Sequence, residues 1–178
     1  MCLMRLVVGS FLALVLCGAC LQAPWPEELV EKEDAMHALV NEVRQAGATC
    51  PESTWPAVSS VVDETALRDA ARAHAKDMAE NDYFAHDAMD GRDPFERMEA
   101  AGYTGEPRAE NIAAGSETAE GTFAQWMESE GHCQNIMLSS TNELGVGVFF
   151  VEGSTYGWYW VQNFGEGEGA IFTPTTTP

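Results

Sequence analysis

Five cysteines and four histidines are the side chains of this sequence best suited to redox, metal or acid–base chemistry. Cys2, Cys17 and Cys20 crowd the start, which leaves Cys50 and Cys133 as one pair in the body of the chain. In an oxidising compartment that pair reads as a disulfide closing a long loop, worth up to roughly 4–5 kcal/mol in the chain-entropy picture. Two buried free thiols are the alternative. With no Cys or His cluster beside them, the two make a poor structural zinc site. His74 shares a helical face with Leu67 and Ala70 and reads as core or interface packing, whereas His37 sits beside an apolar helix face and reads as surface. The run Asp87-Ala88-Met89-Asp90-Gly91-Arg92-Asp93 looks like a calcium loop, but its glycine would require ligands at His86, Ala88 and Asp90. Alanine offers none, so the run reads as a turn. GxSxG, HExxH and phosphate-cradling glycine loops do not occur, and Ser116 lacks the elbow pattern. A nucleophilic serine or cysteine hydrolase is disfavoured.

The whole chain bounds this chemistry further. Its 178 residues predict one domain with a sizeable core. A formal net charge of −19 repels phosphate backbones and anionic headgroups, which argues against nucleic acid as a partner. Residues 1–19 carry one charge, Arg5, then an apolar run from Leu6 to Cys17 that falls short of the about 20 residues a bilayer requires. With Gly18 and Ala19 behind it, this is the pattern of an export signal. Leu16-Cys17-Gly18-Ala19-Cys20 also resembles the bacterial lipobox, in which the last cysteine is lipidated and becomes the new N-terminus. Ordinary cleavage nearby and a buried N-terminal helix are the alternatives. Membrane attachment is expected only through that lipid.

Behind the signal, Pro24 and Pro26 keep residues 20–27 extended as a tether. Leu29, Met36, Leu39, Val40 and Val43 then recur at helical spacing, with Gly47 as the stop. The segment from Thr49 to Val62 reads as loop. Asp63 is the expected cap of a second helix through about Asn81, and Asp93-Pro94-Phe95-Glu96 opens a third with a capping box. A fourth helix is expected from Thr118 to Ser129, burying Phe123 and Trp126. Leu144–Glu152 and Tyr156–Phe164 alternate as the two strands of a hairpin around Gly153-Ser154-Thr155. Helices first and strands last predict an α+β fold with an antiparallel sheet. Residues 166–178 read as a flexible Thr/Pro tail.

Several segments in order carry a resemblance: Ala70–Ala79, Asp82-Tyr83-Phe84-Ala85-His86, Ala109-Glu110-Asn111-Ile112-Ala113, Trp126–His132, Glu143-Leu144-Gly145-Val146-Gly147 and Tyr159–Gly165. Together with the pair Cys50 and Cys133, they resemble the CAP superfamily of cysteine-rich secretory, antigen 5 and pathogenesis-related 1 proteins (the SCP domain), in its bacterial secreted branch. The likeness spans about residues 35–165, with 20–34 left as the lipidated tether. It implies a three-layer α–β–α sandwich around a central antiparallel sheet that ends in the C-terminal hairpin. It also implies a shallow cavity with two histidines and two glutamates. By motif these are His86, Glu110 and His132. The second glutamate's position holds Ser129, flanked by Glu128 and Glu130, which a helical step rotates by roughly 100°.

The resemblance leads to two expectations. One is a non-enzymatic extracytoplasmic binding module for a small apolar or peptide ligand or a cell-envelope partner, with Tyr156, Trp158, Tyr159 and Trp160 available as apolar surface. The other is a metal-dependent, peptidase-like hydrolase in which His86 and His132 hold a metal such as zinc and Glu110 orients them or serves as base. The residues also have a purely structural reading, with Glu110 receiving backbone N–H bonds and His132 capping a helix end.

Overall fold

The structure, a computed structural model, describes residues 24–167; the expected export signal, Cys20 and the expected tail at residues 168–178 lie outside the described residues. The first helix, α1 (Glu27–Ala46), carries Glu27 and Glu28 in its first turn, where they complement the helix dipole, and ends at Gly47, whose φ of 83° suits glycine. Leu29 and Glu33 are buried. The helix therefore begins within the stretch read as tether, and residues 27–34 belong to the folded unit.

Two short strands, β1 (Ala48–Thr49) and β2 (Thr54–Trp55), pair with each other inside the segment expected to be loop. Cys50, between them, is bonded to Cys133, with Cα atoms 5.8 Å apart, so the disulfide expected from the cysteine count is present. A third short strand, β3 (Val62–Asp63), leads into α2 (Thr65–Glu80). The cap of α2 is Glu64, whose side chain accepts from the Leu67 N–H; Asp63, the expected cap, instead pairs with Arg68. In α3 (Pro94–Ala100) the capping box forms as expected between Asp93 and Glu96.

The sheet is completed by β4 (Glu106–Ala114), β5 (Glu143–Phe150) and β6 (Trp158–Glu166), in the order β3-β5-β6-β4. The three long strands are antiparallel, as the pattern predicts. The two-residue β3 adds a parallel edge, so the sheet is mixed. Two residues are too few to show a period, which is why β3 read as loop. The strand β4 was hidden differently, because its stretch from Ala109 to Ala113 is buried on both faces and does not alternate.

Helix α2 covers one face of the sheet. Its Ala71, Ala75 and Met78 pack with Tyr159 and Val161. A Cβ at Gly145 would overlap the backbone of Leu67 and Arg68, and one at Gly147 that of Ala71 and Arg72; these two glycines let α2 lie directly on β5. On the opposite face Leu144, Val146, Val148, Trp160 and Phe164 meet Met36 and Val40 of α1. Trp126 of α4 (Ala119–Met127) and Ile136 of α5 (Glu130–Met137) join the same cluster. The fourth helix was expected to run on to Ser129. It ends at Met127 because Ser129 is extended, with φ −110° and ψ 125°, and α5 starts immediately after it.

Candidate functional site

Glu110 projects from the middle of β4 with its side chain 2% exposed, and an ionised carboxylate there needs partners. It has two. Arg97 of α3 donates Nη2–H to Oε2 at 2.6 Å, and His86 meets Oε1 through Nδ1 at 2.8 Å. A carboxylate bonded to arginine only accepts, so Nδ1 of His86 carries the hydrogen of this bond. Arg97 also donates to the main-chain carbonyls of His86, at 2.7 Å, and Arg92, at 3.1 Å. The buried pair thereby fixes the loop that carries His86, whose ring stays half exposed.

His132 lies in the first turns of α5. Burial, and after it the neighbouring His86, lowers its pKa below the usual histidine range, so the imidazole is neutral at pH 7. Amide groups hold α5 against β4. Asn111 donates to the His132 carbonyl at 3.2 Å and to Gln162 at 3.1 Å, and Asn135 donates to Asn111 Oδ1 at 2.8 Å.

Beside the His86–Glu110 pair runs a cleft of about 300 Å³. Ile112, Ala113, Ala114 and Trp126 form apolar wall, Phe84 and Tyr156 stand at it as a tilted aromatic pair 5.7 Å apart, and Gln125, Ser129 and His132 supply polar groups. The Trp126 ring is locked by its Nε1–H donating to the Ile112 carbonyl at 3.0 Å. Of the four expected cavity residues, His132 and Ser129 line this cleft, while His86 and Glu110 stand outside its lining.

The second glutamate has no substitute here. Glu128 is the exposed C-cap of α4, and Glu130 turns away to accept from the Glu52 N–H and the Ser53 hydroxyl. Nor does the donor set fit a resident zinc. Both oxygens of Glu110 are engaged, and among the described residues no three His, Cys, Asp or Glu side chains converge so as to hold a metal ion. Two imidazoles remain, one short of the protein ligands a catalytic zinc requires.

Sequence reasoning missed Arg97, Gln125 and Asn135. A signal for Arg97 existed: a glutamate inside an apolar strand needs a cation, and the chain has only nine lysines and arginines to supply one. Gln125 stands at an exposed position of α4, where a polar residue carries no signal of its own.

Residues 37–164 match the family model described as CAP, the cysteine-rich secretory protein family. The chain belongs to that family. It is 39% identical over 103 residues to the uncharacterized protein YkwD of Bacillus subtilis, and 32% identical over 80 residues to the uncharacterized membrane protein YlbC of the same organism. These alignments take in 58% and 45% of this chain but only 38% and 23% of the relatives, so the chain spans well under half the length of either. Among solved structures, the fold is similar to that of an extracellular protein containing a SCP domain from Bacillus anthracis. The TM-score is 0.65 at 23% identity, over 82% of this chain and 45% of that one. It is also similar to an outer surface protein from Borrelia burgdorferi, with a TM-score of 0.62 at 18% identity over 76% and 92% of the two chains.

Proposed function

We propose that this chain is an extracytoplasmic binding module, held at the cell envelope by a lipid on Cys20, that takes a small apolar or peptide ligand in the cleft beside His132. The carrying observation is the make-up of that cleft: aromatic and aliphatic walls with three neutral polar groups among them, the composition of sites that bind by burial and orient by a few hydrogen bonds. Glu110, the acid beside it, is spent on Arg97 and His86, which leaves it unavailable as a free base. The Cys50–Cys133 bridge supports a location outside the reducing cytoplasm, and the similar B. anthracis protein is described as extracellular.

The cleft is tested by titrating the domain with the neutral apolar fluorophore N-phenyl-1-naphthylamine and with short uncharged peptides. Phe84→Ala and Tyr156→Ala, both at exposed positions, are expected to weaken binding about tenfold or more without lowering the melting point. Parent-like binding by both variants would remove the cleft from consideration. The anchor is tested separately by fractionating cells that express the full chain. Cys20→Ser should move the protein from the membrane to the soluble fraction, and a wholly soluble parent would refute lipidation while leaving export intact.

A further inference from the structure

The cleft beside His132 has a strand edge for a floor. Three consecutive residues of β4, namely Ile112, Ala113 and Ala114, line it. Side chains of a strand alternate between its faces, and here Ile112 packs with the α2 layer while Ala113 packs in the opposite layer with Trp126. All three can border one cleft only if their main chain borders it. β4 is also the outer strand of the sheet, paired with β6 on one side and with no described strand on the other.

The register fixes which main-chain groups meet that edge. In an antiparallel pair, residues alternate between exchanging hydrogen bonds with the partner strand and turning N–H and C=O away from it. The Gly115 N–H donates to the Trp158 carbonyl at 2.9 Å, which sets the phase. Counted along the register, Ala113 opposite Trp160 and Asn111 opposite Gln162 bond to β6, whereas Ile112 and Ala114 turn outward. The Ile112 carbonyl agrees, since it accepts from Trp126 across the outer edge. The N–H groups of Ile112 and Ala114 and the Ala114 carbonyl then have no hydrogen-bond partner among the described residues. Main-chain groups are rarely left so where water is largely excluded, and Ile112 is only 5% exposed. The two N–H groups are two strand residues apart, about 6.8 Å, which is the spacing of successive carbonyls on one edge of an extended chain.

We propose that the cleft binds an extended, uncharged peptide, which adds to the outer edge of β4 as an antiparallel strand. The proposal rests on the reading of the cleft as the binding site, and it selects the peptide from the two ligand classes. One peptide residue, opposite Ala114, donates its N–H to the Ala114 carbonyl and accepts from the Ala114 N–H; the carbonyl two residues on accepts from the Ile112 N–H. A parallel strand would need the Ile112 carbonyl, which Trp126 holds. An apolar small molecule would leave all three groups unmet. Successive peptide side chains fall on alternate sides of the edge. One side has the Phe84–Tyr156 pair, which joins the α2 layer through Tyr159, and the other has Trp126 and Ser129. Neither side presents a charge there, so the side chains that fit are neutral.

Calorimetry of the purified protein with acetyl-Ala-Val-Thr-Leu-amide, beside N-phenyl-1-naphthylamine as the apolar probe, tests the added strand. Each residue nitrogen of the peptide is methylated in turn. Methylation of the one N–H that meets the Ala114 carbonyl is expected to weaken binding about tenfold or more, while methylation of its neighbours, whose N–H groups face away, leaves it unchanged. On the protein, Ala114→Pro removes an outward N–H without touching the ladder to β6, and an edge strand accepts proline at such a position. It should lose the peptide about tenfold or more and keep the fluorophore, whereas Ala114→Gly, which retains the N–H, should bind both like the parent. The proposal is overturned if the peptide does not bind, if methylation at no single nitrogen matters, or if adjacent nitrogens matter equally. It is overturned as well if Ala114→Pro keeps the fluorophore and takes the peptide like the parent. Should Ala114→Pro lose both probes, the methyl scan on the parent decides alone. Fluorophore binding without peptide binding defeats the added strand and leaves the cleft as a site; a parent that binds neither probe defeats the cleft itself.

Discussion

Glu110 is the residue on which the site depends, because it is a buried charge with two jobs. Replacing it by glutamine keeps the shape but leaves the Arg97 guanidinium buried without a counter-charge, a loss on the order of 3–5 kcal/mol. Denaturant unfolding of Glu110→Gln should show that loss, and the nuclear magnetic resonance signals of the His86 loop should broaden as its anchor goes. Ser129 offers the complementary experiment. It lines the cleft with His132 where no carboxylate stands, so Ser129→Glu should raise zinc affinity above the parent's, and His132→Ala in that background should abolish the gain. Calorimetry at pH 7.5 reads both. Acid sensitivity also belongs to single residues. His74 and His132 have pKa values lowered mainly by burial, so the unfolded chain takes up protons near pH 6.5 that the folded one refuses. The stability they contribute is complete above that pH and is lost as the pH falls toward their folded values. The melting point should drop from pH 7.5 to 5.5, and His74→Phe should shrink that drop even though it is less stable at pH 7.5.

At the scale of elements, the contact of α2 with β5 is the least forgiving part of the fold. Gly147→Ala would drive a methyl into the backbone of Ala71 and Arg72, where no flexible side chain can give way. We expect a loss of roughly 3 kcal/mol or more, at the severe end for overpacking, seen as a lowered denaturant midpoint. Asp93→Ala, which removes the cap of α3, should cost only about 1 kcal/mol. Elements with their own local code were legible in the sequence: α1 in its apolar repeat, α3 in its capping box, and β5 and β6 in their alternation. Those whose code is tertiary were not. The expected fourth helix stops at Ser129, and the separate α5 beyond that extended residue was not legible, because it is held by Asn111, Asn135 and the disulfide rather than by helix signals of its own. Asp63 looks like a cap but is occupied in β3, since pairing with β5 decides which of two adjacent acids begins the helix. The site followed the same division. His86, Glu110 and His132 stood in recognisable motifs, whereas the charge that commits Glu110, and the turn that sets Ser129 in the cleft, come from chain segments distant in sequence.

At the scale of the molecule, the bridge from Cys50 to Cys133 spans 83 residues of sequence and ties the β1–β2 loop to α5. The Cys50→Ser, Cys133→Ser double variant should lose about 2–4 kcal/mol and melt several degrees lower. Mass spectrometry of the parent should recover the linked peptides without added oxidant. Arg44 works over a similar reach: it is fully buried and donates to the carbonyls of Ser59, Ile136, Leu138 and Thr141. Burial brings its pKa down to about 10, still well above neutral, so the charge persists and clasps the end of α1 to the turn after α5.

The sheet order has a consequence in time. The last described strand of this domain, β6, lies between β5 and β4, so both earlier strands wait for it during synthesis. Helix α2, made about eighty residues before, has no complete surface to settle on until then. A nascent chain ending before Trp158 should therefore remain protease-sensitive, and the release of about ten further residues should bring protection in one step. If the chain crosses a membrane before folding, as proposed above, such a late-arriving keystone is an advantage: the domain stays translocation-competent until β6 emerges, and Cys50 and Cys133 meet only on the far side.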